Sequence, residues 1–204
     1  MKTNSGFDFL APVYDLMARL VFGRAMIDSQ LCFLDRIPHG AEVLILGGGT
    51  GWLLEKISDQ HKSCKILYVD VSKEMVKKAR LRKTEDEVQF IQGTEKDIPK
   101  DIKFDFIITN FYLDLFSDKN LVAVLERIRE HTKTSSVWLV TDFIETTLWH
   151  RWMLKLMYLF FRIVCSIECS HLPKWKTALR ANGWKEIEMQ SRFNDFINTS
   201  FWVR

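Results

Sequence analysis

Residues 42–57 read EVLILGGGTGWLLEKI, and this stretch decides the fold. An apolar run over 42–46 enters three consecutive glycines, then Thr50 and a fourth glycine, and a helix-like pattern follows over 51–60. A strand that is nearly all apolar is buried on both faces, as in a parallel sheet. Glycines at its end let the chain turn tightly and let a ligand lie against bare backbone, where a Cβ would collide. The helix that follows points its N-terminus at such a ligand and favours an anionic group.

The spacing narrows the ligand. A dinucleotide fingerprint needs G-x-G-x-x-G, and the sixth position is Trp52 counted from Gly47 and Leu54 counted from Gly49. A Walker A loop would end in Gly-Lys-Ser/Thr, which is absent. What fits is G-x-G-x-G: Gly47, Gly49 and Gly51, with Gly48 making the middle barer still. A tight turn with no ligand stands beside that reading. The next apolar strand, KILYVD, ends at Asp70, where an acid is placed to accept both ribose hydroxyls of a nucleoside. The plainer role for Asp70 is a charge at a helix N-terminus, stabilising by under about 1 kcal/mol. Strand, glycines, helix, strand and acid together are far more specific than any one part.

Upstream, residues 7–22 read as an amphipathic helix whose regular part starts near Pro12, and 25–36 as a second helix ended by Pro38 and Gly40. Downstream the alternation continues. A helix over 72–83 begins at Ser72, a good N-cap. Strands follow at 88–91 and 104–109, then a helix at 118–131 and a fifth strand at 137–141. A long aromatic helix spans roughly 145–165, a shorter one 173–181 ends at Asn182-Gly183, and strands at 184–190 and 195–203 form an antiparallel hairpin. The expected fold class is α/β: a Rossmann-like, seven-stranded mixed sheet, mostly parallel with the last strand antiparallel. Helices cover both faces, giving a three-layer α/β/α arrangement. One domain over 1–204 is expected, with 1–40 as a helical lid and 143–172 as a helical insert after strand five.

Composition bounds the rest. The chain has 204 residues, 47 % of them apolar, enough to bury a large core. Its net charge of +3, from 29 basic and 26 acidic residues, favours no nucleic-acid partner, and no basic run laced with aromatics appears. The four cysteines, Cys32, Cys64, Cys165 and Cys169, fit no zinc motif, so no metal is expected. Free thiols suit a reducing, cytoplasmic setting. The stretch MKTNSGFDFLAPVYD has no continuous apolar core and is not read as a signal peptide. WMLKLMYLFFRIVC is short for a bilayer span and interrupted by Lys155 and Arg162.

At this point the sequence resembles the class I S-adenosylmethionine-dependent methyltransferase family, in order from about Phe7 to Thr141 and loosely to the end. VLILGGGTGWLLEKI resembles its first motif and VDVSKEMVKKAR its second. VQFIQGTEKDIP resembles the third, FDFIITNFYLDLF the fourth, and FDFLAPVYD the N-terminal cover. The resemblance implies S-adenosyl-L-methionine as cofactor and S-adenosyl-L-homocysteine as product. It implies Tyr14 over the cofactor and Gly47, Gly48, Gly49 and Gly51 around its amino-acid end. Asp70 would hold the ribose, Val71 and Met75 would neighbour adenine, Thr94 or Glu95 would face the adenine amine, and Asn110 the methionine end. Two departures stand out. Ile45 occupies the place of an acid that usually orients the loop and the ammonium, and Thr94-Glu95 stands where Asp-Ala is usual.

TNFYL lacks the prolines of base-modifying relatives, which again speaks against nucleic acid. A small, apolar or amphiphilic acceptor is expected. The apolar face of residues 149–164 either packs on the sheet and N-terminal helices or lines a pocket or touches lipid, so peripheral membrane contact is open, and so is the oligomeric state. Asp114, Asp142, His150 and His171 are the candidate bases. None is assigned, because in-line positioning supplies much of the rate of methyl transfer. Tyr14 and Tyr112 are candidate contacts near the sulfonium. Against the enzyme stands a catalytically inactive binding or scaffold protein of the same fold. An oxidoreductase is disfavoured by the failed fingerprint.

Overall fold

The computed structural model describes residues 4–60, 63–165, 167 and 169–204. Seven strands form one sheet: β1 (Glu42–Leu46), β2 (Lys65–Asp70), β3 (Glu87–Gln92), β4 (Phe104–Asn110), β5 (Thr132–Phe143), β6 (Lys185–Arg192) and β7 (Ile197–Val203). Their order is β3-β2-β1-β4-β5-β7-β6. The first five run parallel, and β7 is antiparallel to both β5 and β6. The strand order reverses beside β1, so the carboxyl ends of β1 and β4 flank the crevice where ligands bind in such sheets.

The two faces of β1 follow its period of two. Leu44 and Leu46 join Leu67, Val69, Ile107, Trp138 and Val140 under α6 (Asp118–Glu130) and α8 (Trp175–Ala181). Val43 and Ile45 join Ile66, Tyr68, Phe106 and Ile108 under α4 (Trp52–Ser58) and Ala79 of α5 (Lys73–Ala79). Ser72 caps α5 as its sequence predicts, accepting from the Met75 N–H at 3.1 Å.

A third cluster lies off the sheet, where α1 (Asn4–Leu10), α2 (Tyr14–Phe22), α3 (Ala25–Leu31) and α7 (Leu148–Cys165) meet Phe143, Phe196 and Ile197. Here the expectations need correction. The single helix over 7–22 is two short ones, α1 and α2, broken at 11–13 where Pro12 sits in a turn. The helix over 25–36 stops at Leu31. Phe33 adopts a positive φ of 64°, and only one 3-10 turn, Leu34–Arg36, follows. β5 begins at Thr132, five residues before the apolar run. Its polar start is held by Ser136, whose hydroxyl donates to the Phe104 carbonyl at 2.7 Å, across an irregularity in the β4–β5 register. Cys165 ends α7 and Cys169 lies beyond it.

Candidate active site

The glycine loop is gripped by β2. Gly49 donates its N–H to Asp70 Oδ2 at 2.8 Å, and its carbonyl accepts from the Tyr68 hydroxyl at 2.7 Å. Gly48 lies against the Tyr68 ring so closely that a Cβ would sit 2.2 Å from it. Gly49 has a φ of +64°, and a Cβ there would meet nothing within 4 Å. Its free side opens into a cavity of about 480 Å³.

Asp70 closes the second strand and works in two directions. Oδ1 accepts from the Ser72 N–H at 2.9 Å while Oδ2 takes Gly49. Each oxygen keeps a further lone pair. Burial lifts the carboxyl to about 6, and the two backbone donors oppose that rise. Val71, Met75 and Thr94 line the cavity beside it. Thr94's hydroxyl caps the following 3-10 turn, accepting from the Lys96 N–H, and the Thr94 N–H donates to Asp97 at 2.8 Å. Glu95, the alternative to Thr94 at the adenine amine, does not line the cavity. It is buried behind the wall, where Tyr112's hydroxyl donates to Oε2 and Arg127's guanidinium to Oε1, both at 3.0 Å. Tyr112's hydroxyl proton is thereby committed to Glu95, while the residue itself lines the cavity.

At the other end, Asn110 closes β4. Its Oδ1 is buried without a hydrogen-bond partner among the described residues, and the side chain borders the cavity. An orphaned acceptor of this kind fits a cationic donor. Phe111 follows with a φ of 51°, an uncommon backbone for an aromatic residue. Its N–H donates to the Thr141 carbonyl at 2.7 Å and its ring packs 4.8 Å from Phe143.

The N-terminal helices roof the cavity and are tied to the loops beneath. Asp15 on α2 accepts the Thr50 hydroxyl with both oxygens, at 3.1 and 2.9 Å. Asp8 on α1 accepts from the Ser72 hydroxyl and from the Glu74 N–H at the start of α5. Arg82 holds the Thr50 carbonyl at 3.1 Å. Tyr14, Asp15, Ala18, Met26 and Ile27 face the cavity, as do Gly47, Gly48, Gly49 and Thr50. Gly51 does not line it: a Cβ there would meet Ala79 at 2.5 Å, so this glycine lets α4 and α5 approach. Ile45 lines the cavity with a side chain that belongs to the core, and nothing acidic takes its position.

The candidate bases lie elsewhere. Asp142 is buried and accepts from the Leu113, Asp114 and Phe143 N–H groups at 3.1, 3.2 and 2.8 Å. Burial raises Asp114 to about 7, and burial together with the Asp114 charge pushes Asp142 well above the usual carboxylate range. The three N–H donors oppose that rise at Asp142, and Asp114 Oδ1 has no hydrogen-bond partner among the described residues. His150 is a satisfied core histidine between Thr146 and the Asn194 carbonyl. His171 is exposed and pairs with Asp118 at 3.2 Å. Among the described residues no group of side chains could hold a metal ion.

Sequence reasoning passed over Tyr68, Asp8 and Arg82 as parts of this site. Tyr68 sits inside an apolar strand, and Asp8 and Arg82 act through contacts remote in sequence.

A family model described as a methyltransferase domain matches residues 43–135. No curated protein matches the sequence significantly. Among solved structures, the fold is similar to a chain of the complex between the Haloferax volcanii Trm112 methyltransferase activator and a methyltransferase. There the TM-score is 0.71 at 19 % identity, over 97 % of this chain and 96 % of that one. It is also similar to Burkholderia thailandensis 1,6-didemethyltoxoflavin-N1-methyltransferase, solved with 1,6-didemethyltoxoflavin and S-adenosylhomocysteine. That match has a TM-score of 0.68 at 14 % identity, over 98 % and 86 %. The Mycobacterium tuberculosis cyclopropane synthase MmaA2 scores 0.68 at 10 % identity, over 87 % and 84 %. The matched segment holds the glycine loop, Asp70 and Asn110, and the sheet has the Rossmann-like fold of these methyltransferase structures.

Proposed function

We propose that the protein transfers a methyl group from S-adenosylmethionine to a small apolar or amphiphilic acceptor held under α1–α3. The observation that carries this reading is one continuous cavity of about 480 Å³. It is lined by Gly47–Thr50, Asp70 and Met75 and also by the apolar Phe7, Met26, Ile27, Phe111, Phe116 and Ile167. That volume lies within the usual range for small-molecule sites.

When bound, the cofactor supplies an electrophilic methyl group. Asp70 accepts the ribose hydroxyls with the lone pairs left free by Gly49 and Ser72. Met75 and Val71 flank the adenine. Asn110 Oδ1 and the Asp15 carboxylate receive the ammonium, replacing the acid that Ile45 lacks. Tyr68 and Asp70 orient the loop that such an acid would otherwise help to place. Residues 1–40 act as a lid, and the apolar lining residues exclude water and hold the acceptor. No general base is assigned, since Asp114, Asp142 and His150 are absent from the cavity wall.

Thermal unfolding with S-adenosylmethionine, S-adenosylhomocysteine, NADH and ATP tests the cofactor. A ligand at about 100 times its dissociation constant stabilises by about 2.7 kcal/mol, which for this size shifts Tm by roughly 5–10 °C. A shift with the two adenosyl ligands only supports the reading and justifies screening lipophilic phenols, quinones and amines. Absence of a shift would favour a scaffold protein that has lost its cofactor.

A further inference from the structure

α7 buries His150, Leu154, Tyr158 and Cys165, and turns a second apolar row, Leu148, Trp152, Leu156, Leu159 and Ile163, to solvent. The spacing of four, four, three and four keeps that row on one stripe. Trp152 is 70 % exposed and Ile163 73 %. The helix has no acidic residue, and Arg151, Lys155 and Arg162 fall along one flank of the stripe at 100° per residue. Lys155 places its ammonium 5.0 Å from the Trp152 ring centre, and Arg151 pairs with Glu145 at 2.8 Å.

The roof helices repeat the pattern. Phe9 on α1 and Leu20 on α2 are 75 % and 76 % exposed, and Val13 and Leu16 are exposed beside them, with Arg19 and Arg24 close in sequence. These helices pack on the cluster that α7 covers. Gly6 abuts the Cys165 backbone, where a Cβ would sit 2.2 Å from its Cα, and Phe7 stacks on Phe161 with 6.5 Å between ring centres. Phe7 and Ala18 also line the cavity, so the outward rows lie on the layer that closes it.

We propose that the outer face of α1, α2 and α7 docks on the surface of an anionic lipid bilayer, with the helices lying in the headgroup plane. Interfacial helices combine an apolar face, indole rings and a basic border, and α7 has all three. Among the described residues no helix is long and apolar enough to cross a membrane, so the contact is lateral. A second copy fits less well. Antiparallel pairing of α7 with itself would set one basic flank against the other, and α7 offers no acid to answer it. The inference stands apart from the cofactor reading, because none of the outward residues touches the cavity glycines or Asp70.

Co-sedimentation with phosphatidylcholine vesicles, with and without phosphatidylglycerol, tests it. The protein should pellet with the anionic vesicles and be released by salt, since each basic side chain near such a surface strengthens binding about fivefold. Lys155→Glu with Arg162→Glu, and separately Trp152→Ser with Leu156→Ser, should each weaken binding by at least about tenfold, given the transfer energy of the apolar groups removed. Both pairs should keep the wild-type Tm and any shift produced by S-adenosylhomocysteine. If a variant unfolds early, quenching of tryptophan fluorescence by brominated phospholipids reads the same contact in the unmodified protein through exposed Trp149 and Trp152. Binding to neither vesicle overturns the proposal, as does binding that both variant pairs retain. A dimer in light scattering that the Trp152→Ser, Leu156→Ser pair dissolves would assign the face to a second copy instead.

Discussion

The β1–α4–β2 unit and α7 use similar apolar residues to opposite ends. In the first, Val43 through Leu46, Leu53, Leu54 and Ile57 all point into the core, and the loop between strand and helix is clamped by Tyr68 and Asp70. In α7 the apolar residues divide into an inward row and an outward row. Backbone pairing explains the difference. A central parallel strand has a neighbour on each side and a helical layer on each face, so an apolar residue there has nowhere to go but inside. A helix on the periphery satisfies its own backbone, and only one stripe of it must be covered.

The sharpest way to break the comparison is to truncate one residue from each row of the same helix. Leu154 is buried and Leu156 largely exposed. Leu154→Ala should lower stability by about 2–5 kcal/mol, while Leu156→Ser should change it by less than about 0.5 kcal/mol. Equal losses in thermal or denaturant unfolding would mean that the outward row is covered in the folded protein, contrary to the arrangement described.

At the clamped site, Asp70→Ala removes the proposed ribose acceptor and one side of the Gly49 grip. Two charge-assisted hydrogen bonds lost to the ligand predict an affinity for S-adenosylhomocysteine lower by about 100-fold, read by calorimetry. Ser72 keeps its contacts to Asp8 and the Met75 N–H. The variant should therefore still fold, so lost affinity is separable from lost structure.

A smaller effect follows from pH. Burial raises the Asp70 carboxyl to about 6, above its value in an unfolded chain. Only the anion offers lone pairs to both ribose hydroxyls, so affinity is full above that value and is lost as pH falls through it. Between pH 8 and pH 5 the affinity for S-adenosylhomocysteine should fall about tenfold. A flat profile would show that the ribose does not depend on the Asp70 charge.

These contrasts also show what sequence alone reveals. The strand–glycine–strand core was legible because a period of two, a run of glycines and a terminal acid each have a local cause. Asp70, Met75 and Asn110 lie on the wall of one cavity. Glu95 does not, because its partners Tyr112 and Arg127 come from the loop after β4 and from α6, and no local pattern announces them. Pro12 reads as the start of the regular helix, but the separate helix before it is not expected from the sequence, because the apolar spacing runs on through the break. In α7 the two rows merge into one wide apolar face when read by period, and period does not say which side meets the core.

The smallest effect separates two roles for Asp15. With Ile45 in the core, Asp15 and Asp70 are the acids on the cavity wall, and Asp70 is the one proposed for the ribose. Asp15→Asn keeps an oxygen for the Thr50 hydroxyl and removes the charge. If that charge holds the ammonium, affinity for S-adenosylhomocysteine should fall about fivefold, the size of a partly exposed ion pair. Affinity for 5′-methylthioadenosine, which has no amino-acid end, should stay unchanged. Equal weakening of both ligands would mean that Asp15 acts through the roof and Thr50, and that the ammonium relies on Asn110 and loop carbonyls. The ratio of the two affinities therefore tells whether a residue of the roof has replaced the acid missing from β1.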